Sequence, residues 1–277
     1  MTLPIYKLGA FAERLFRGGP TAVCVLDSAQ EAVLDAATMQ AIATENNLGE
    51  TAFIGRRGKG WWIRWFTPIC EVDLAGHPTL AAAWVVFERC GETGGRVVFE
   101  GPLGPLPVER DGNLLRMDFP AVPARAEVAP AEIVAAVGAD PVACFRMDPI
   151  HRVEYRMLVY PDEARLRGLS PDYRVLKERR VNILATAPGS PEGGIDFVSR
   201  IFCPAVGEDE DPVTGSAHCT SAPYWAARLG RDDLVARQLS RREPEIRCET
   251  RGDRVVLSGR CVPYLEGRID VPLLAAP

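Results

Sequence analysis

Two short stretches of this chain could handle a small organic anion. One is Gly76-His77-Pro78-Thr79 and the other is Gly215-Ser216-Ala217-His218. Each precedes an apolar run ending in Trp, at Trp84 and Trp225, so each is expected to open a helix. A helix start presents N–H groups with no partner inside the helix, at the positive end of its dipole. Together these bind carboxylate or phosphate without a cationic side chain, and Gly76 and Gly215 allow a ligand close to the backbone. Two readings stand for these turns: an anion site, or an ordinary capped helix with Ser216 as N-cap.

Other ionisable groups stand nearby in sequence. His77 titrates near neutrality, which suits proton relay or carboxylate recognition; it also suits a plain hydrogen-bonded helix start. Glu45 ends an expected helix, facing the unfavourable end of that helix's dipole. In a dry site this placement raises a carboxyl's proton affinity and fits a general acid/base. In water it is a solvated side chain, and Glu50 is a competing carboxylate. Asp211 closes the acidic run Gly207-Glu208-Asp209-Glu210-Asp211 and is carried by Pro212-Val213-Thr214 toward the second turn, as Asp73 leads to the first. The acidic run has no calcium-loop spacing. Of the other histidines, His218 packs or caps, and His151 belongs to a charged surface stretch.

The elements that must position these groups occur twice. Arg-x-Phe-x-Pro appears as Arg64-Trp65-Phe66-Thr67-Pro68 and as Arg200-Ile201-Phe202-Cys203-Pro204, 136 positions apart (200 − 64). Hairpin glycines Gly112 and Gly252 repeat at 140 (252 − 112). Strands are expected at 5–8, 21–26, 51–54, 61–66 and 96–100, and again at 157–160, 181–186 and 197–202. Hairpins are expected at 108–119, around Asp111-Gly112, and at 246–257. Helices are expected from 31 to about 45, through Pro78 to about 89, and from 216 to 229. Helices mixed with hairpins argue for an α+β chain with mixed sheets. The expected division is 1–120, rejoined by a C-terminal strand 268–277, and 124–267, with Phe119-Pro120-Ala121-Val122-Pro123 as linker.

Composition narrows the function. The 277 residues carry 32 basic and 37 acidic side chains, a formal charge of −5. This weak negative balance speaks against nucleic acid as a partner. No apolar run reaches the roughly 20 residues of a membrane span, and charged residues interrupt any leader-like stretch near the start. The eight cysteines form no Cys-x-x-Cys pair, so neither a zinc site nor a redox pair is indicated. A cytoplasmic location is expected.

Four stretches, taken together, resemble the phenazine-biosynthesis PhzF-like family, within the diaminopimelate epimerase-like fold. They are Met39-Gln40-Ala41-Ile42-Ala43-Thr44-Glu45-Asn46-Asn47, Glu50-Thr51-Ala52-Phe53, Phe66-Thr67-Pro68 through Gly76-His77-Pro78-Thr79, and Glu210-Asp211-Pro212-Val213-Thr214-Gly215-Ser216-Ala217-His218. Gln238-Leu239-Ser240-Arg241 also fits, and the similarity runs in order along nearly the whole chain. The resemblance implies two similar halves, each a curled mixed sheet around a central helix, with an active-site cleft between them. It implies a cofactor-free isomerase with no bound metal. It assigns proton transfer to Glu45, with His77, Asp211 and Ser216 completing the catalytic set; from the helix starts themselves, Gly76, Gly215 and Asp73 are expected to bind substrate. Racemases of the wider fold use two thiols, which would fall at Ala75 and Thr214; neither is Cys. The chain departs from the family at Gly18-Gly19-Pro20, where Gly-Asn-Pro is usual, and at Arg241-Arg242-Glu243, where Arg-Gly-Gly is usual.

The expected reaction moves a proton between carbons of a small carboxylic acid. The alternatives are a racemase or epimerase of a small amino or hydroxy acid, and a catalytically silent small-acid-binding protein. The expected partners are the small acid and, by base rate, a second copy of the chain in a homodimer.

Overall fold

The computed structural model describes residues 1–102, 104–147 and 153–271. The chain forms two compact units, Met1–Asp118 with the segment from Ser258, and Phe119–Leu257.

In the first unit, β1 (Thr2–Ala10) and β2 (Gly19–Leu26) are followed by two helices, α1 (Ser28–Glu31) and α2 (Ala36–Asn46). Then come β3 (Glu50–Arg57), β4 (Gly60–Phe66), β5 (Glu71–Val72) and α3 (Gly76–Arg89). The unit continues through β6 (Arg96–Gly101), β7 (Gly104–Asp111) and β8 (Leu114–Pro120). The helix expected from 31 begins at Ala36, after a separate short α1 that ends at Glu31, because the chain supplies two caps. Asp27 and Gln30 form a reciprocal capping box over α1. Asp35 then accepts from the Thr38 amide at 2.8 Å and starts α2 afresh. In the hairpin, Asp111 pairs with Leu114, so the turn residues are Gly112 and Asn113, one position later than expected. Gly112 takes the left-handed conformation there.

The second unit begins with β9 (Ala124–Glu127), α4 (Ala131–Val137), β10 (Ala143–Met147) and β11 (Glu154–Val159). Helices α5 (Glu163–Arg167) and α6 (Tyr173–Glu178) lead to β12 (Val181–Pro188) and β13 (Phe197–Phe202). After α7 (Gly215–Leu229) come β14 (Asp233–Gln238), β15 (Glu245–Arg251) and β16 (Arg254–Gly259). The last strand, β17 (Cys261–Asp270), returns to the first unit. The return comes at 258, not at the expected 268, because β17 pairs antiparallel with β1 from Ala10↔Cys261 to Thr2↔Asp270.

Both units repeat one pattern. In the first, β17, β1 and β2 are antiparallel neighbours, β2 and β3 are parallel, β3 and β4 antiparallel, β4 and β6 parallel, and β6 and β7 antiparallel. In the second, β9, β10 and β11 are antiparallel neighbours, β11 and β12 parallel, β12 and β13 antiparallel, β13 and β14 parallel, and β14 and β15 antiparallel. One helix lies inside each unit. In α3, residues from His77 to Phe87 are buried save Trp84, and α7 buries residues on every face, as a helix enclosed by a sheet must. The outer sheet faces hold separate apolar clusters. Leu3, Ile5, Phe53 and Phe66 pack with Met39 and Ala43 of α2; Leu158, Ile183 and Val198 pack with Val137, Leu166 and Leu176. Pro223 lies inside α7. Its ring nitrogen cannot donate to the carbonyl four residues back, and the Val122 amide takes that place, donating to Cys219 O at 3.0 Å. Among the described residues no helix is long and apolar enough to cross a membrane.

Candidate functional site

Three chain ends converge on one end of the first unit: the end of α2, the start of β3 and the start of α3. Glu45 sits on the last turn of α2. That turn is fixed to the Phe66-Thr67-Pro68 segment, where Gln40 Nε2 donates to Thr67 O at 2.8 Å and Thr44 Oγ1 to Pro68 O at 2.7 Å. The helix stops at Asn47, which is left-handed (φ 47°) and donates its N–H to Ala43 O at 3.1 Å. The chain then passes Gly49, where a first side-chain carbon would stand 4.0 Å from His77 Nε2. Glu50 follows, its Oε2 2.9 Å from the same nitrogen. Strand alternation puts Glu50, Ala52 and Ile54 on the α3 side, because Thr51, Phe53 and Gly55 alternate with them and Phe53 packs with the α2 cluster. His77 is 3% exposed. The dry-carboxylate reading of Glu45 needs correction. Its side chain is exposed, because α2 buries Thr38, Met39 and Ala43 and position 45 falls off that stripe. Asp73 is also exposed.

The second unit builds the start of α7 with more bonds. Asp211 Oδ1 accepts from the Val213 amide at 3.0 Å and its Oδ2 from Thr214 Oγ1 at 2.5 Å. Gln238, fully buried, spans the same turn: its Oε1 accepts from Thr214 N at 2.9 Å and its Nε2 donates to Asp211 O at 2.5 Å. Ser240 Oγ donates to Pro212 O at 2.9 Å. The cap residue is Thr214, with no side-chain cap bond. Ser216 is therefore not the N-cap; it lies one place inside the helix, half-buried beside buried Gly215. In α3 the corresponding cap is Ala75. The positions matched to racemase thiols are thus the two cap residues.

The caps are alike in a further respect. Four residues into each helix a side chain donates back to the cap carbonyl: Thr79 Oγ1 to Ala75 O at 2.6 Å, and His218 Nδ1 to Thr214 O at 2.9 Å. His218 is completely buried. Its Nε2 lies 3.4 Å from Ser199 Oγ and its ring packs 5.9 Å from Phe197. Burial pushes its pKa down to about 4, partly offset by the Thr214 carbonyl. It is a neutral structural histidine. His151 lies outside the described residues.

The arginines of the repeated motif explain the acidic stretches after them. Arg64 grips Glu71 with two hydrogen bonds, 2.6 and 2.8 Å, and lies 5.1 Å over Phe66. Arg200 grips Glu210 at 2.8 and 2.9 Å and lies 4.8 Å over Phe202. Each motif therefore pins the loop that delivers the following helix start, by fork-shaped charge-assisted bonds. Arg200 also donates to the carbonyls of Leu166, Arg167 and Leu169. Among the described residues no three His, Cys, Asp or Glu side chains gather as a metal-binding group.

Sequence reasoning placed Glu45, Gly76, His77, Gly215 and Ser216 at helix ends, where they lie. It missed the clamp made by Gln238. The Gln-x-Ser motif was visible, but nothing in its spacing points to a turn 24 residues earlier (238 − 214).

Residues 8–267 match the family model described as phenazine biosynthesis-like protein. The chain belongs to that family. It is 42% identical over 269 residues to an uncharacterized isomerase of Pseudomonas aeruginosa, covering 97% of this chain and 99% of that protein. A crystal structure of a PhzF-family phenazine biosynthesis protein from Enterococcus faecalis superposes with TM-score 0.88 at 37% identity, covering 98% of this chain and all of that one. A hydroxyproline epimerase from Agrobacterium vitis shares the fold alone, at TM-score 0.60 and 8% identity, over 97% of this chain and 92% of that one. The α+β, diaminopimelate epimerase-like fold implied by the motifs is the fold of this PhzF-like chain, and the chain is an isomerase-type enzyme.

Proposed function

We propose that this PhzF-like chain is a cofactor-independent isomerase that moves a proton between carbons of a small carboxylic acid. Glu45 removes the proton from an acidified carbon and returns it to another. Each helix tip, at Gly76 in the first unit and at Gly215 in the second, suits a carboxylate, because the amide donors of a helix start and the helix dipole both favour an anion. His77 polarises the substrate, Asp73 contributes to binding and Ser216 assists. Asp211 acts through the turn it holds, since both its carboxylate oxygens already accept bonds from that turn.

The observation that carries this reading is the convergence in the first unit. A carboxylate on a pinned helix end, an imidazole on an amide-rich helix start and a second carboxylate 2.9 Å from that imidazole share one end of the unit. Exposure of Glu45 is compatible with the role, because a proton shuttle has to meet its substrate.

The test is deuterium incorporation into a panel of small unsaturated, amino and hydroxy acids in heavy water, followed by NMR. Enzyme-dependent exchange into at least one acid is expected. Glu45→Gln should lower that rate by about 10²–10⁴-fold while ligand binding persists. Turnover of the purified Gln variant close to that of the parent would remove Glu45 from the role. Absence of exchange across the panel, with binding retained, would leave a silent binding protein.

A further inference from the structure

We propose that Glu50 is a positioning residue of this site: it acts through His77, holding the ring at the start of α3 with Nε2 as the protonated nitrogen. The inference rests on the reading of His77 as a site residue. It concerns a different carboxylate from the proton shuttle.

The geometry is direct. Glu50 Oε2 lies 2.9 Å from His77 Nε2, with side chains 20% and 4% exposed. The two atoms lie off the line of an aligned hydrogen bond, but an anionic oxygen that close would be repelled by a bare nitrogen lone pair, so Nε2 carries the proton whether the ring is neutral or charged. Nδ1 is then the nitrogen whose proton comes and goes. A carboxylate that fixes the tautomer and orientation of a working imidazole is a recurrent arrangement in proton-transfer sites.

The repeat supplies an internal control. Phe53 stands opposite Arg64 in β3–β4, and Ala185 stands opposite Arg200 in β12–β13. Three positions earlier are Glu50 and Asn182 (53 − 50 = 185 − 182). The partners match as well, since His77 and Ser216 are each the second residue of their helix. The second unit therefore carries Asn and Ser where the first carries Glu and His. Its Asn182 serves the backbone, accepting from Ala205 N at 3.1 Å. A neutral pair builds the same elements, so the architecture alone does not call for an ionisable couple in the first unit.

Other charges around α3 have other engagements. The elements packed on it are β1, β2, β3 and β17. Arg56 and Arg57, at the far end of β3, pair with Glu92 and Glu31. Glu266 of β17 pairs with Arg89 at the opposite end of the helix. Lys7 of β1 aligns with Ala22 and Thr51, on the α2 face of the sheet. Arg268 and Asp270 of β17 align with Pro4 and Thr2, at the far end of β1 from Leu8, which leads through Thr21 to Glu50. Outside these elements, Glu45 and Asp73 are exposed acids near the same end.

The experiment is nitrogen-15 NMR of the histidine side chains in the purified chain, without substrate, across pH. There are three histidines, and a His77→Gln spectrum assigns the resonance. In the parent the Nε2 shift should be that of a protonated nitrogen throughout. In Glu50→Gln the His77 titration midpoint should fall by about 1–3 pH units, the size of effect an adjacent opposite charge produces, and the neutral ring should show a mixture of tautomers. Glu50→Asp should restore part of both. If Glu50→Gln fails to fold, Glu50→Asp, with its shorter reach, should still lower the midpoint. A midpoint and tautomer unchanged in whichever variant folds would overturn the proposal. Because this readout needs no turnover, it can fail while deuterium exchange succeeds, and the reverse.

Discussion

At the scale of single residues, chemical type alone does not assign a role. His77 and His218 are both buried on the first turns of interior helices, yet they differ in what they face. His77 meets a carboxylate. His218 donates to the cap carbonyl, as Thr79 does in the other helix, so a hydroxyl and an imidazole perform the same task. The consequence for stability has a definite sign. Folded His218 takes a proton only near pH 4, against 6.5 for its ordinary value, whereas the unfolded chain takes it first as pH falls. Its contribution is complete above pH 6.5 and is lost on descending to about pH 4, by up to roughly 3 kcal/mol. Urea unfolding midpoints should therefore drop across that window. His218→Asn, which can still donate to Thr214 O but does not titrate, should start less stable and show a flatter profile. An equal slope in the variant would assign the acid sensitivity elsewhere.

At the scale of elements, the duplicated Arg-x-Phe-x-Pro motif emerges as a loop fastener. Arg200 is the tighter of the two: its side chain and that of Glu210 are 12% and 23% exposed, against 33% and 36% for Arg64 and Glu71. Arg200 also satisfies three carbonyls. Removing one partner of a largely buried pair costs about 3–5 kcal/mol, and of an exposed pair up to about 1 kcal/mol. Arg200→Ala should lower the thermal midpoint far more than Arg64→Ala, and calorimetry would show it. Equal losses would mean that burial does not set the strength of the lock. The motif, the hairpin glycines and both interior helices were legible in the sequence because each leaves a local signature. The Asp caps at Asp27 and Asp35 were passed over, so α1 was missed and α2 was started five residues early (36 − 31). The C-terminal strand was expected at 268–277, of which 272–277 lie outside the described residues; β17 runs Cys261–Asp270, and its start was illegible for a plainer reason. Most of its side chains are exposed, and it holds its place by backbone pairing with β1, which leaves no alternation of apolar residues to detect. Glu50 and His77 were both noticed, but their contact spans 27 positions (77 − 50) and belongs to the folded chain only.

At the scale of the whole molecule, one strand pattern is used twice and the chemistry is not. The two units share one order of strand pairings, as the two motif offsets led us to expect, and the boundary of the second unit was set ten residues late (268 − 258). The thiols report on the integrity of both units at once. Cys24, Cys144, Cys203, Cys219 and Cys248 are buried, Cys90 and Cys261 are half-buried, and Cys70 is exposed. Burial pushes the Cys24 and Cys219 thiols up to about 12 and Cys144 up to about 11, while Cys24 has Lys7 and Cys219 has Arg254 pulling the other way. A thiol needs access and a thiolate fraction to react. Native protein should therefore give one fast-reacting thiol, abolished by Cys70→Ser, and denatured protein should give all eight. Several fast thiols in the native state would show that a unit opens.

Pro223 gives the connection between the units an unusual footing. A residue that ordinarily interrupts a helix leaves a vacant acceptor deep in the second unit's axis, and the incoming strand of chain is grafted onto it through Val122. The opening segment of the second unit is thus spliced onto that unit's own interior helix. An insertion that displaced Val122 would leave the Cys219 carbonyl without its donor, so that short segment is held to the helix it caps from the side.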